Sequence, residues 1–172
     1  MELLDRAALY RLIRGASPGF EWRGVGPGTS ADALETFLKE RVLAQFLLAR
    51  ADDSNEVVGL AQCLAPDFVH GAAQVAVLLR RDYHGRGWPL EGVALFMSYL
   101  FNAYPLRKLY LEVPDLNDQR FGRGLGRIFK YEGTLSEHEW HVGAFRDVHF
   151  YSMHRDSFLS ILLLAGILRH AS

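Results

Sequence analysis

Apolar positions along the chain recur with two periods, and the switches between them mark out the elements. Residues 2–14 carry Leu3, Leu4, Ala7, Ala8, Leu9, Leu12 and Ile13 at helical spacing, with charges between them. Gly15-Ala-Ser-Pro-Gly19 stops that helix. A glycine-rich loop from Phe20 to Thr29 follows, and its aromatics Phe20 and Trp22 either cover a substrate or pack over the core. Ser30 is placed to cap a second helix whose apolar side is Ala33, Leu34, Phe37, Leu38, Val42 and Leu43. Strands are expected over Gln45 to Ala51 and Val57 to Leu64, around the polar turn from Asp52 to Glu56. The short run Val75 to Leu79, in a strand beginning near Gln74, suits burial on both faces. Leu90 to Tyr104 is apolar on more than one side, as in a mostly buried helix. Pro89 suits its first position, where the missing N–H has no intrahelical partner to lose.

Beyond Pro105 the period returns to two. Lys108 to Val113 sets Leu109, Leu111 and Val113 on one face and Lys108, Tyr110 and Glu112 on the other. Residues 118–130 have helical spacing, yet Gly122, Gly124 and Gly126 each cost about 1 kcal/mol relative to alanine, which predicts a short or irregular helix. Two closing strands are expected near 131–140 and 145–154, joined by His141-Val-Gly-Ala144. The apolar stretch 158–168 reads as a final helix, packed either on its own domain or against a second subunit as a homodimer.

Composition narrows the classes. A chain of 172 residues is enough for one domain with its own core, expected as residues 1–157 with a helical extension over 158–172. The net charge of −1 implies no nucleic-acid partner. Cys63 is the only cysteine, so no disulfide forms within the chain and a reducing, cytoplasmic setting is expected. Charges at Asp5, Arg6, Arg11 and Arg14 break any leader-like run. The longest uncharged stretch, Ser157 to Leu168, is too short to span a bilayer, so no membrane role is expected. His138 and His141, with Glu137 and Glu139, are the best metal cluster on offer. They lack the i, i+4 helical pairing of zinc hydrolases, so no metal is expected.

The candidate chemistry centres on Val75 to Tyr104. A strand, the turn His84-Gly85-Arg86-Gly87-Trp88-Pro89 and a helix N-terminus together make a phosphate cradle: glycine lets backbone approach the anion, and first-turn N–H groups point at it. The spacing fits neither a P-loop nor a dinucleotide fingerprint. It resembles motif A of the GNAT acetyltransferases, Q/R-x-x-G-x-G/A, with His84 at the first anchor, Gly87 matching and Pro89 at the last. The resemblance extends over roughly residues 5–157. Asn117, a helical segment, Phe129-Lys-Tyr-Glu-Gly-Thr-Leu135 and Arg146-Asp-Val-His-Phe-Tyr151 resemble the ribosomal-protein alanine N-acetyltransferase type.

That resemblance implies an α/β GNAT fold: a mixed, mostly antiparallel twisted sheet with flanking helices around the strand–glycine turn–helix site. It implies acetyl-CoA, or another short acyl-CoA, as co-substrate and a primary amine of a small molecule or protein N-terminus as acceptor. Leu78, Leu79 and Arg80 would offer backbone groups to the pantetheine arm. Gly85, Arg86, Gly87, Trp88, Pro89 and Leu90 would hold the pyrophosphate. Asn117 is either a turn residue or a pantetheine contact. Gly124 stands where many relatives place a tyrosine that protonates the thiolate, Gln74 where some carry a glutamate, and Arg120 where relatives often have serine. Glu112 is then the first candidate base, or else an ion-pair partner of Lys108 or a neighbouring arginine. Asp147 and His149 come next, His149 because imidazole titrates near neutrality. The rival readings are an acyl-CoA-binding module without turnover and an interaction domain that no longer binds CoA.

Overall fold

A computed structural model describes residues 39–52, 56–84, 86, 89–117, 125–141 and 143–164, with Asp32 and Thr36. The helix over 2–14, the loop from Phe20 to Thr29, Ser30, Gly85, Gly87, Trp88, Arg120 and Gly124 lie outside the described residues. The elements are β1 (Val42–Ala49), β2 (Val57–Asp67), β3 (Ala72–Leu79), a 3₁₀ turn (Arg81–Tyr83), α1 (Pro89–Ala103), β4 (Lys108–Pro114), α2 (Leu125–Ile128), β5 (Lys130–His141), β6 (Ala144–His154) and α3 (Arg155–Leu164). The strands form one sheet in the order β1-β2-β3-β4-β6-β5. The β3–β4 pair is parallel, while β1–β2, β4–β6 and β5–β6 are antiparallel. This is the mixed, mostly antiparallel α/β architecture expected from the sequence. The chain divides into two compact units, Met1–Ala65 with Ala76–Met97 and Pro66–Val75 with Ser98–Ser172.

In the first unit, β1 begins earlier than expected. Val42 and Leu43 belong to the strand, not to the preceding helix, which ends at Arg41. Their apolar side chains satisfy either period, and the ladder to β2, from Val42↔Leu64 to Ala49↔Val57, decides for the strand. Val58, Leu60, Ala61 and Cys63 of β2 are fully or almost fully buried. Phe46 of β1 meets Phe96 of α1 edge-on, with ring centres 5.3 Å apart. Two glycines permit close approach here. A Cβ on Gly59 would lie 2.5 Å from the Leu78 carbonyl oxygen, and one on Gly92 would lie 3.0 Å from Leu48 Cδ2. β3 is not buried on both faces as expected. Ala73 and Val75 are buried, then Leu78, with half-buried residues between, so the buried phase shifts by one residue along the strand.

In the second unit, β4 runs against β6 over its whole length, from Lys108↔His154 to Pro114↔Val148. Its pairing with β3 covers only Ala72–Gln74 and Lys108–Tyr110. Gly71, at φ +63°, makes the turn before β3, and its carbonyl accepts the Arg107 and Lys108 N–H groups at 2.7 and 3.1 Å. Pro105 follows α1, and Arg155 secures the connection beyond it by donating to the Tyr104 and Leu106 carbonyls. The final helix expected from residue 158 begins at Arg155. Its Phe158 is buried against Phe101, with ring centres 5.5 Å apart.

Candidate active site

The first unit holds the strand–turn–helix segment. β3 ends at Leu79, the 3₁₀ turn follows, and α1 starts at Pro89, which is buried at its first position. The Arg80 N–H donates to the Val58 carbonyl at 2.8 Å, and the Arg80 carbonyl accepts from Tyr83 N–H at 3.0 Å. Backbone groups two residues apart in a strand point the same way. Leu78 and Arg80 therefore address β2, and Leu79 alone of the three expected pantetheine contacts points away from it. The Leu79 carbonyl accepts from His84 Nε2 at 3.0 Å, so the His84 ring folds back over the strand end. Leu78 is buried and Leu90 exposed.

Charge gathers at this turn around Glu56. One of its carboxylate oxygens accepts from Tyr83 Oη at 2.6 Å and the other from Arg80 Nη1 at 2.5 Å. Those bonds, Tyr83's first, hold the carboxyl below its ordinary pKa. The guanidinium groups of Arg80 and Arg86 stand 5.3 and 5.6 Å from the Tyr83 ring centre. Among the described residues Arg86 has no carboxylate partner, which leaves its charge available to an anion. An open groove of about 350 Å³ runs beside the first turns of α1, lined by Phe46, Leu48, Pro89, Gly92 and Leu95. Apart from Glu91 its walls are apolar, and they suit hydrocarbon better than phosphate.

The second unit holds Glu112 and His149, two of the candidate bases. Glu112 lies on β4 opposite Phe150, and His149 on β6 lies opposite Val113. Directly paired residues share a face of the sheet and neighbours along a strand alternate. Glu112 and His149 therefore project from opposite faces and cannot serve the same nitrogen from one side. Glu112 is half-buried, short of the deep burial that would raise its basicity most. Lys108 is engaged by Glu132 at 2.7 Å, where an ion pair with Glu112 was one expectation. Ser152 Oγ donates to the same Glu132 oxygen at 2.6 Å. These partners, Lys108 foremost, hold the Glu132 carboxyl down to about 2. Burial disfavours the Lys108 ammonium, but Glu132 and Tyr110 outweigh it and its pKa lies above the ordinary lysine value.

Asn117 sits in a short helical turn after β4 and is buried, 8% exposed. His149 Nδ1 lies 2.6 Å from Thr134 Oγ1, which lies 2.6 Å from Tyr131 Oη. Tyr131 and Thr134 lie in the segment Phe129 to Leu135 singled out by its resemblance, but only the hairpin register brings them to His149. Among the described residues no group of three His, Cys, Asp or Glu side chains could hold a metal ion, and no helix is long and apolar enough to cross a membrane.

No family model matches the chain. Its sequence is similar to spermidine N(1)-acetyltransferase of Escherichia coli K12, 33% identical over 95 residues, 54% of this chain and 50% of that protein. It is also similar to the Vibrio cholerae enzyme of the same name, 23% identical over 124 residues, 71% of this chain and 72% of that one. The chain thus spans about half the length of the first of these relatives. Both are spermidine enzymes, not the ribosomal-protein alanine type that the second half resembles. A variant of the V. cholerae spermidine N-acetyltransferase SpeG superposes with a TM-score of 0.75 at 21% identity, over 94% of this chain and 96% of that one. The manganese complex of spermidine/spermine N-acetyltransferase SpeG gives 0.72 at 21% identity, over 94% and 93%. The chain has the fold of the spermidine N-acetyltransferases, the α/β acetyltransferase fold that its own order of elements anticipates.

Proposed function

We infer that the chain is an N-acyltransferase, moving acetyl from acetyl-CoA, or another short acyl group, to a primary amine of a small molecule. Polyamines are the first acceptor class to test. The reading is carried by the strand, turn and proline-started helix of the first unit, set in an acetyltransferase fold. The backbone N–H groups between Gly85 and Leu90, Pro89 having none to give, would receive the pyrophosphate, with Arg86 supplying charge. The backbone of Leu79 would meet the pantetheine arm, and Asn117 would bond it from the side. A small amine is preferred to a protein N-terminus because the relatives named above are spermidine enzymes.

The reaction sets the remaining requirement. The amine nitrogen bonds to the thioester carbon, the C–S bond breaks, and CoA leaves as a thiolate that takes up a proton. An alkylammonium must first lose a proton, so a base is needed near the acyl carbon. Glu112, His149 and Asp147 are the candidates, and the opposite faces of Glu112 and His149 mean that those two would not both serve. Glu112→Gln and His149→Gln each keep shape and remove basicity, and the variant of the true base should lose about two orders of magnitude or more in kcat at neutral pH.

The reading is tested by offering acetyl-CoA and an amine panel to the purified protein and following product by mass spectrometry. Acetylated amine at a catalytic rate is expected. Tight acetyl-CoA binding without turnover on any amine would instead identify a binding module, the role that Gly124 and Gln74 would suit. Gly87→Asp should weaken acetyl-CoA binding more than tenfold, about 1.4 kcal/mol. Unchanged calorimetric affinity in that variant would remove the phosphate turn from the reading.

A further inference from the structure

We propose that Thr134 is a positioning residue for His149, and that Tyr131, Thr134 and His149 form the path by which the acceptor amine loses its proton. This rests on the acyltransferase reading and goes further by selecting His149 as the base.

The path is built by an irregularity in the β5–β6 ladder. Tyr131 pairs with Tyr151 and Thr134 with His149, with a register shift between Tyr131 and Gly133. In a regular strand, residues three apart face opposite sides. The extra residue, Glu132, brings Tyr131 and Thr134 onto one face, the face of His149 and Tyr151. The result is two 2.6 Å contacts in series, Tyr131 Oη to Thr134 Oγ1 and Thr134 Oγ1 to His149 Nδ1. The Tyr131 ring packs against Tyr151 with centres 5.5 Å apart, which fixes the outer end of the chain. Tyr131 is 52% exposed, so the outer end of the chain lies at the surface. At the inner end His149 stands opposite buried Val113, beside a cluster of Val113, Tyr151, Leu111 and Phe129. The titratable groups on this face of β5 and β6 are Tyr131, Tyr151 and Asp147, and Asp147 accepts the Glu137 N–H at 2.8 Å.

A single hydroxyl proton can serve only one of the two contacts, which orders the chain. With His149 Nδ1–H donating to Thr134 and Thr134 donating to Tyr131, the Nε2 lone pair is free to take a proton. When an acceptor ammonium arrives, its N–H bond breaks and an Nε2–H bond forms. The Nδ1 proton then passes to Thr134, the Thr134 proton to Tyr131 and the Tyr131 proton to water. One proton enters at Nε2 and one leaves at Tyr131, which leaves His149 as the Nε2–H tautomer. The starting order returns when Nε2–H is lost to solvent and water sends a proton back through Tyr131 and Thr134 to Nδ1.

Thr134→Val keeps shape and removes both contacts, whereas Thr134→Ser keeps the hydroxyl. With saturating acetyl-CoA, Thr134→Val should lower kcat for the amine by about tenfold or more and move the acid limb of the pH–rate profile. Calorimetric acetyl-CoA affinity should stay at the wild-type value, and Thr134→Ser should recover most of the rate. In ¹⁵N NMR spectra His149 should be the Nδ1–H tautomer in the wild type and a mixture in Thr134→Val. Wild-type kcat and pH profile in Thr134→Val, a Thr134→Ser as slow as Thr134→Val, or an Nε2–H tautomer in the wild type would each overturn the inference and leave the acyltransferase reading standing. A wild-type protein that acetylates no amine would remove both. The wild-type spectrum needs no variant, so the inference stays testable even if Thr134→Val does not fold.

Discussion

Gly59 shows how one missing side chain shapes the pairing of β2 with β3. Its absent Cβ leaves room for the Leu78 carbonyl, which an alanine methyl would meet at 2.5 Å. The obstacle is backbone, so neither strand can yield by turning a side chain. Gly59→Ala should destabilise the protein by about 1–3 kcal/mol in denaturant titrations, and should also weaken acetyl-CoA binding by displacing the end of β3. A variant as stable as the wild type would mean that β2 and β3 can part freely. Glu132 acts through charge. Because its folded carboxyl lies near 2, below the ordinary 4.5, its contribution is complete above about pH 4.5 and fades as pH falls towards 2. Glu132→Gln should cost about 1 kcal/mol at neutral pH and flatten the acid side of the stability curve. An unaltered slope between pH 5 and 2 would show that Lys108 and Ser152 do not act through this carboxylate.

At the scale of elements, what could be read in advance was whatever a single period determines. β4 alternates cleanly and falls almost where its pattern sets it, Lys108 to Pro114. α1 begins at the proline marked as its start. Val42 and Leu43 fit both periods, and only pairing with Leu64 and its neighbours resolves them. The candidate site was legible in the same uneven way. Glu112 and His149 could be named from chemistry, but their opposite faces follow from a register that no local pattern encodes. Thr134 joins His149 through a bulge, which is invisible until two strands are aligned. α3 offers a test of packing. Phe158 is 4% exposed and rests on Phe101, so Phe158→Ala should cost about 3–5 kcal/mol, the range for a large buried aromatic. A melting temperature within a degree of wild type would make the terminal helix dispensable.

At the scale of the molecule, the strand–turn–helix segment belongs to one compact unit and the β5–β6 hairpin to the other. A ligand that binds only folded protein stabilises it by mass action, by about 2.7 kcal/mol at a hundredfold excess over Kd. Acetyl-CoA should therefore raise the melting temperature, and Gly87→Asp should abolish that rise while leaving the unliganded midpoint nearly unchanged. Cys63 turns the first unit into its own clock. Its thiol has no exposed surface, and burial pushes its pKa up to about 12, so in the native state it is neither reachable nor ionised at neutral pH. A thiol reagent can label it only during moments when β2 is laid open, and the single cysteine makes every labelling event report the same opening. The labelling rate thus counts how often β2 comes away from its neighbours, molecule by molecule, with no probe added to the chain.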